Sequence, residues 1–121
     1  MNGEWVAARV EMAEGGWYLV GLSGLELDAS DRVYLAAITV FGRANQIVIA
    51  MEEMSELIKE LSKHLRGMGD TERISEEMAD VYIMLRELEI MFGNSADVEL
   101  AVAEKTARLR ARVENGEDSA G

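Results

Sequence analysis

Two runs of helical periodicity, each carrying paired carboxylates on an apolar background, constrain this chain more than any other feature. The first is Glu52-Glu53-Met54-Ser55-Glu56 and the second is Glu76-Glu77-Met78-Ala79-Asp80. Glu53 and Glu56 are three residues apart, as are Glu77 and Asp80. On a helix that spacing puts both members of a pair on one face. The flanks are apolar, with Ile47, Ile49, Met54, Leu57 and Leu61 around the first run and Ile74, Met78, Val81, Met84 and Leu88 around the second. The interval between Glu56 and Glu77 has room for a helix end, a turn and a new helix start, so the second helix can return antiparallel beside the first. Two such helices would point four carboxylates into one space next to a buried face. There they repel one another unless a cation neutralises them. The hard ion that prefers carboxylate and water oxygens is Mg²⁺.

Composition narrows the function classes. A chain of 121 residues predicts one domain with a modest core. The formal charge is −11, from 23 acids against 12 bases, which argues against a nucleic-acid backbone as the partner. A nucleotide remains compatible, because a metal can bridge acids to phosphates. Cysteine is absent and His64 is the sole histidine, so thiolate chemistry, a histidine-rich metal site and a Ser-His-Asp triad all lose support. No apolar run approaches the roughly 20 residues that span a bilayer. No basic segment followed by an apolar one opens the chain, so a cytoplasmic location with no membrane partner is the expectation.

The helical pattern divides the chain in order. Residues 1–28 read as an N-terminal extension. A short β-hairpin over 4–12 and 17–22, turning at Gly15-Gly16, competes there with a helix over 4–13. Trp5, Trp17 and Tyr18 either stack on a base or cover the outside of a helical core. Residues 29–114 predict an all-α, four-helix bundle with helices over 30–41, 43–66, 71–92 and from Ser95 or Asp97 to about Val113. Gly42, Gly67-Met68-Gly69 and Gly93-Asn94 are the breaks, and Asp70 or Thr71 caps the third helix. Residues 115–121 read as a polar tail. The apolar stripes of the two long helices are broader than a small monomer covers comfortably, so the bundle is expected to self-associate.

A basic set complements the acids. Lys105, Arg108 and Arg112 share a face of the last helix, Arg73 lies one turn before Glu77, and Lys59 follows Glu56 by three. These suit phosphate recognition beside a metal, or else simple ion pairing with neighbouring acids. Lys63, Arg66, Arg86 and Arg110 read as ordinary surface charges, and His64 as solvated or structural.

The order Glu52-Glu53-x-x-Glu56 followed by Glu77-x-x-Asp80 resembles the signature of MazG-type all-α nucleoside triphosphate pyrophosphohydrolases, in their small single-domain form. The likeness takes in Phe41-Gly42, Asn45-Gln46, the run 50–59, the run 74–85 and the closing Glu104-Lys105-Thr106-Ala107-Arg108-Leu109 with Arg112. It covers about 40–113 and leaves residues 1–28 without a counterpart. The resemblance implies Mg²⁺-dependent hydrolysis of a nucleoside or deoxynucleoside triphosphate to the monophosphate and pyrophosphate. It implies Glu53, Glu56, Glu77 and Asp80 as metal ligands, with Glu52 and Lys59 close by. Glu53 or Glu56 would orient the water. Lys105, Arg108, Arg112 and Arg73 would bind phosphate, in a homodimer or homotetramer.

Two other readings compete. A carboxylate-bridged di-iron bundle uses Glu-x-x-His pairs, whereas the matching positions here are Glu56 and Asp80. A non-catalytic helical interaction module of the same fold would keep the helices without the chemistry.

Overall fold

The computed structural model describes residues 27–116. The hairpin-or-helix expectation and the aromatic residues Trp5, Trp17 and Tyr18 lie outside the described residues. The fold is all-α, with α1 at Ala29–Phe41, α2 at Arg43–Leu65, α3 at Thr71–Phe92 and α4 at Ser95–Glu114. Among the described residues no single helix is long and apolar enough to cross a membrane.

Local chemistry sets the boundaries. The Asp28 carboxylate accepts from the Asp31 N–H at 2.9 Å, and the Asp31 carboxylate accepts from the Asp28 N–H at 3.1 Å. This reciprocal capping box starts α1 one residue earlier than its periodicity predicts. Gly42 then takes φ 95°, ψ 144°, and the chain direction changes by 115° into α2. Only glycine adopts that conformation without strain. After α2 the chain folds back so tightly that a Cβ on Gly69 would stand 2.6 Å from His64 Cα. Of the two expected caps of α3, Asp70 takes the role, its Oδ1 accepting from the Glu72 N–H at 2.9 Å. Gly93 ends α3 in the left-handed conformation, donating to the Glu89 carbonyl at 2.8 Å. Of the two expected starts of α4, Ser95 is the one used.

α2 and α3 pack antiparallel in the largest interface, α1 leans on both, and α4 makes a small contact with α3. The buried apolar residues are few, namely Ala50, Met84 and Ile90 among those described. Four polar side chains are buried with them: Asp31, Gln46, Glu60 and Glu87. Such groups require partners, because a buried polar atom without one costs more than the water it leaves. Meanwhile Ile58 is 67% exposed and Leu65 87% exposed, and α4 buries no residue at all. Much of the apolar surface legible in the sequence is therefore exposed among the described residues.

Arg86, which reads as a surface charge, is instead a hub. Its Nε and Nη2 donate to the two oxygens of Asp31 at 2.8 and 2.9 Å, tying α3 to α1. Its Nη1 donates to Glu89 Oε1 at 2.9 Å and to Ser95 Oγ at 2.8 Å, tying in the start of α4. Burial alone would push the Asp31 carboxyl up. The Arg86 guanidinium and the Asp28 N–H outweigh that and hold it below the ordinary value. A second tie closes the far end of the α2–α3 pair, where Arg43 Nη1 donates to the Met91 carbonyl at 2.8 Å. The same guanidinium lies 4.8 Å over the Phe92 ring.

Candidate metal centre

The acidic runs meet where their periodicity points. One carboxylate oxygen each from Glu53, Glu77 and Asp80 lies within 4.8 Å of the other two. α2 supplies Glu53 from its middle, and α3 supplies Glu77 and Asp80 from successive turns. All three are partly buried. Among the described residues, none of the three has a lysine or arginine within ion-pairing distance. Partial burial, then the charges of Asp80, Glu77, Glu56 and Glu52, hold the Glu53 carboxyl above its ordinary value. Uncompensated negative charge on two facing helices is the condition that a hard divalent cation relieves. The donor set is carboxylate oxygen alone, which matches Mg²⁺ better than a softer ion.

The fourth expected ligand is placed differently. Glu56 is not part of the converging trio; its side chain is 46% exposed and lies 3.8 Å from Lys59 Nζ. Lys59 is thus engaged with Glu56, within the same turn of α2. Glu52 is exposed and bears on the trio only through its charge on Glu53. Arg73 is also committed, its Nε standing 3.6 Å from Glu60 Oε2. Lys63, which reads as a surface charge, approaches the same oxygen at 3.4 Å.

The basic face of α4 carries no such pairing. Lys105 and Arg108 are exposed and Arg112 is half-buried, with its Nε unbonded. None of the three forms an ion pair among the described residues, whereas Arg110 is held by Glu114 at 2.9 Å. The expectation of simple ion pairing along α4 therefore fails for the three residues that share the face.

Glu60 and the Gln46–Glu87 pair escape a reading of the sequence, although a signal for them is present. Gln46 and Glu60 stand seven residues either side of Glu53, and Arg73 and Glu87 stand seven either side of Asp80. Seven residues is close to two helical turns, so each set of three shares a face. A separate cavity of about 670 Å³ between α1 and α3 is bordered by Tyr34, Tyr82 and Arg86, and none of the acidic trio lines it.

In comparisons with known proteins, a family model described as a domain of unknown function (DUF5348) matches residues 1–37. That match covers the N-terminal extension and runs into α1, ending before the acidic helices begin. No curated protein and no solved structure matches the chain.

Proposed function

We propose that this chain is a Mg²⁺-dependent nucleotide pyrophosphohydrolase of the MazG type, which cleaves a nucleoside or deoxynucleoside triphosphate to the monophosphate and pyrophosphate. The observation that carries this reading is the convergence of Glu53, Glu77 and Asp80, unpaired by any lysine or arginine among the described residues, on one partly buried point between two helices. Those three carboxylates would hold the ion. Once bound, Mg²⁺ supplies charge neutralisation on the triphosphate and lowers the pKa of a coordinated water.

The chain's own residues account for the remainder. Glu56 lies one turn beyond Glu53, outside the trio and half-exposed, so its carboxylate is the group to orient the water and take its proton. The water oxygen bonds to the α-phosphorus, and the bond from that phosphorus to the oxygen bridging to the β-phosphate breaks. Pyrophosphate leaves carrying the charge, which Lys105, Arg108 and Arg112 stabilise. Arg73 pairs with Glu60 and, being more than half exposed, keeps a face open toward the phosphates. Copies of the chain assemble as a homodimer or homotetramer, covering the exposed apolar faces of α2 and α4.

A second reading, a non-catalytic helical interaction module, draws on the same uncovered apolar surface. One measurement separates the two. The protein is incubated with each common NTP and dNTP, with and without Mg²⁺, and pyrophosphate and monophosphate are quantified. Mg²⁺-dependent release of both products supports the enzyme. No turnover of any triphosphate, by a folded protein, leaves the interaction module.

A further inference from the structure

The candidate centre depends on how far α2 and α3 have slid along each other, and few apolar side chains of the two helices are fully buried. They are Ala50, Met84 and Ile90, one of them small and one flexible. Polar side chains supply what the apolar ones lack. Gln46, Glu53 and Glu60 recur every seven residues along α2, and Arg73, Asp80 and Glu87 do so along α3. The contacts pair them in reverse order, as antiparallel helices require. Gln46 Nε2 donates to Glu87 Oε1 at 2.7 Å, Glu53 meets Asp80 in the acidic trio, and Glu60 Oε2 faces Arg73 Nε at 3.6 Å. Each step of seven up α2 is matched by a step of seven down α3.

The three rungs differ in one respect. The outer two pair opposite partners, an amide nitrogen on a carboxylate at one end, with Gln46 Oε1 itself unbonded, and a guanidinium on a carboxylate at the other. The middle rung is open, acid facing acid. The outer acids are also the more deeply placed, Glu60 being 1% exposed and Glu87 4% exposed. Sliding α3 by even one residue, about 1.5 Å, draws Gln46 from Glu87 and Arg73 from Glu60, leaving the buried Glu87 without its amide and the buried Glu60 with only Lys63 of its own helix. A buried polar group at a recurring position is the best-attested device for setting helix register.

We propose that Gln46–Glu87 and Glu60–Arg73 are register locks, positioning residues that hold α2 and α3 in the single alignment in which Glu53, Glu77 and Asp80 converge. The inference rests on the metal reading of the middle rung for its purpose, though its geometric content stands apart from that reading. The four lock residues lie outside the acidic trio.

The chain has no cysteine, so two can be introduced for spin labels: Ala44→Cys near the start of α2 and Ser75→Cys near the start of α3, both exposed. In antiparallel helices this pair spans the seam lengthwise, and its separation reports any slide. Labelled protein is diluted with unlabelled protein, and distances are measured by double electron–electron resonance without divalent cations. The native seam is expected to give one narrow distance. Gln46→Leu/Glu87→Leu, and the same with Glu60→Leu/Arg73→Leu added, are expected to remain helical but to broaden it or give a second distance. The Mg²⁺ concentration that half-maximally raises the melting temperature is expected to increase at least tenfold. The exchanged pair Gln46→Glu/Glu87→Gln restores the rung in reverse and should recover both native values. An unchanged narrow distance in the folded leucine variants overturns the locks. So does an exchanged pair that folds but gives a broadened or second distance relative to the native seam, a reading that serves even if the leucine variants do not fold. A broadened distance in a protein whose native form shows no response to Mg²⁺ upholds the locks and overturns the metal reading.

Discussion

Glu53 and Asp80 face each other across the α2–α3 seam as two carboxylates, with Glu77 completing a group whose oxygens lie within 4.8 Å. Opposing acids on packed helices destabilise the pair they join. Here the energetic cost sits at the one rung that a cation can satisfy. Removing a charge from it should therefore have opposite effects on the free and the metal-bound protein. Glu53→Gln is expected to raise the melting temperature in chelator at neutral pH. Excess Mg²⁺ at ~100 times its dissociation constant should stabilise the native sequence by about 2.7 kcal/mol and the variant far less. Scanning fluorimetry with and without Mg²⁺ reads both effects. A variant that loses stability in chelator would mean that the carboxylates are not in conflict.

Asp80→Asn keeps the shape of the side chain and removes its charge. It should leave the helical content intact and reduce Mg²⁺-dependent pyrophosphate release by about 10²-fold or more, the scale seen when the support of a metal site is lost. Full activity in this variant removes Asp80 from the ligand set.

Asp31 and Arg86 predict the acid limit of the fold. The folded Asp31 carboxyl lies below its ordinary value of 3.8, because Arg86 and the Asp28 N–H favour the ionised form. A carboxyl lowered on folding contributes stability above its unfolded pKa, and that contribution is lost as pH falls through the folded one. Asp31→Asn should therefore cost about 1.5–3 kcal/mol at pH 7 by urea denaturation, as for a charged hydrogen-bonded group. The gap between native and variant should close below the ordinary carboxyl value. A gap independent of pH would place the cost in packing and not in the ion pair.

The arginines of α4 separate phosphate recognition from surface charge. Arg108→Ala and Arg112→Ala should each lower kcat/KM for the triphosphate by roughly tenfold or more, equivalent to about 1.5–3 kcal/mol per charge-assisted contact. Arg110, 79% exposed and paired with Glu114 at 2.9 Å, is the control and should change little. Equal losses at Arg108 and Arg110 would reduce the basic face to general electrostatics.

Gly69 tests the fold-back between α2 and α3. Alanine there would bring a methyl group within 2.6 Å of the His64 backbone, which cannot move aside as a side-chain tip could. Gly69→Ala is expected to lower stability by about 1–3 kcal/mol, the range for overpacking. Gly67→Ala meets no atom within 4 Å but carries φ +75°, so its cost arises from backbone strain alone. Comparing the two by urea denaturation shows whether crowding adds to loop strain.

The four helices and nearly every helix end were legible in the sequence, because capping residues, glycines and apolar spacing act over a few residues of chain. Asp28 with Asp31, Asp70, and Gly42 with Gly93 work through neighbours at most four positions away. The convergence of Glu53 with Glu77 and Asp80 was legible for a related reason: a short turn forces two long helices back alongside each other. What the residues do once there was decided only in three dimensions. Glu56 shares a helical face with Glu53, yet it turns to Lys59 and solvent. Arg73, read from the sequence as a phosphate contact, lies beside the buried carboxylate of Glu60, a neighbour that its spacing did not announce. Arg86 finds Asp31 from 55 residues away, a pairing that no local spacing encodes. A helix is chosen by interactions within a turn or two, so its sequence can announce it. The partner of a charge is chosen by which groups burial has left without water, and that depends on the register and facing of whole helices.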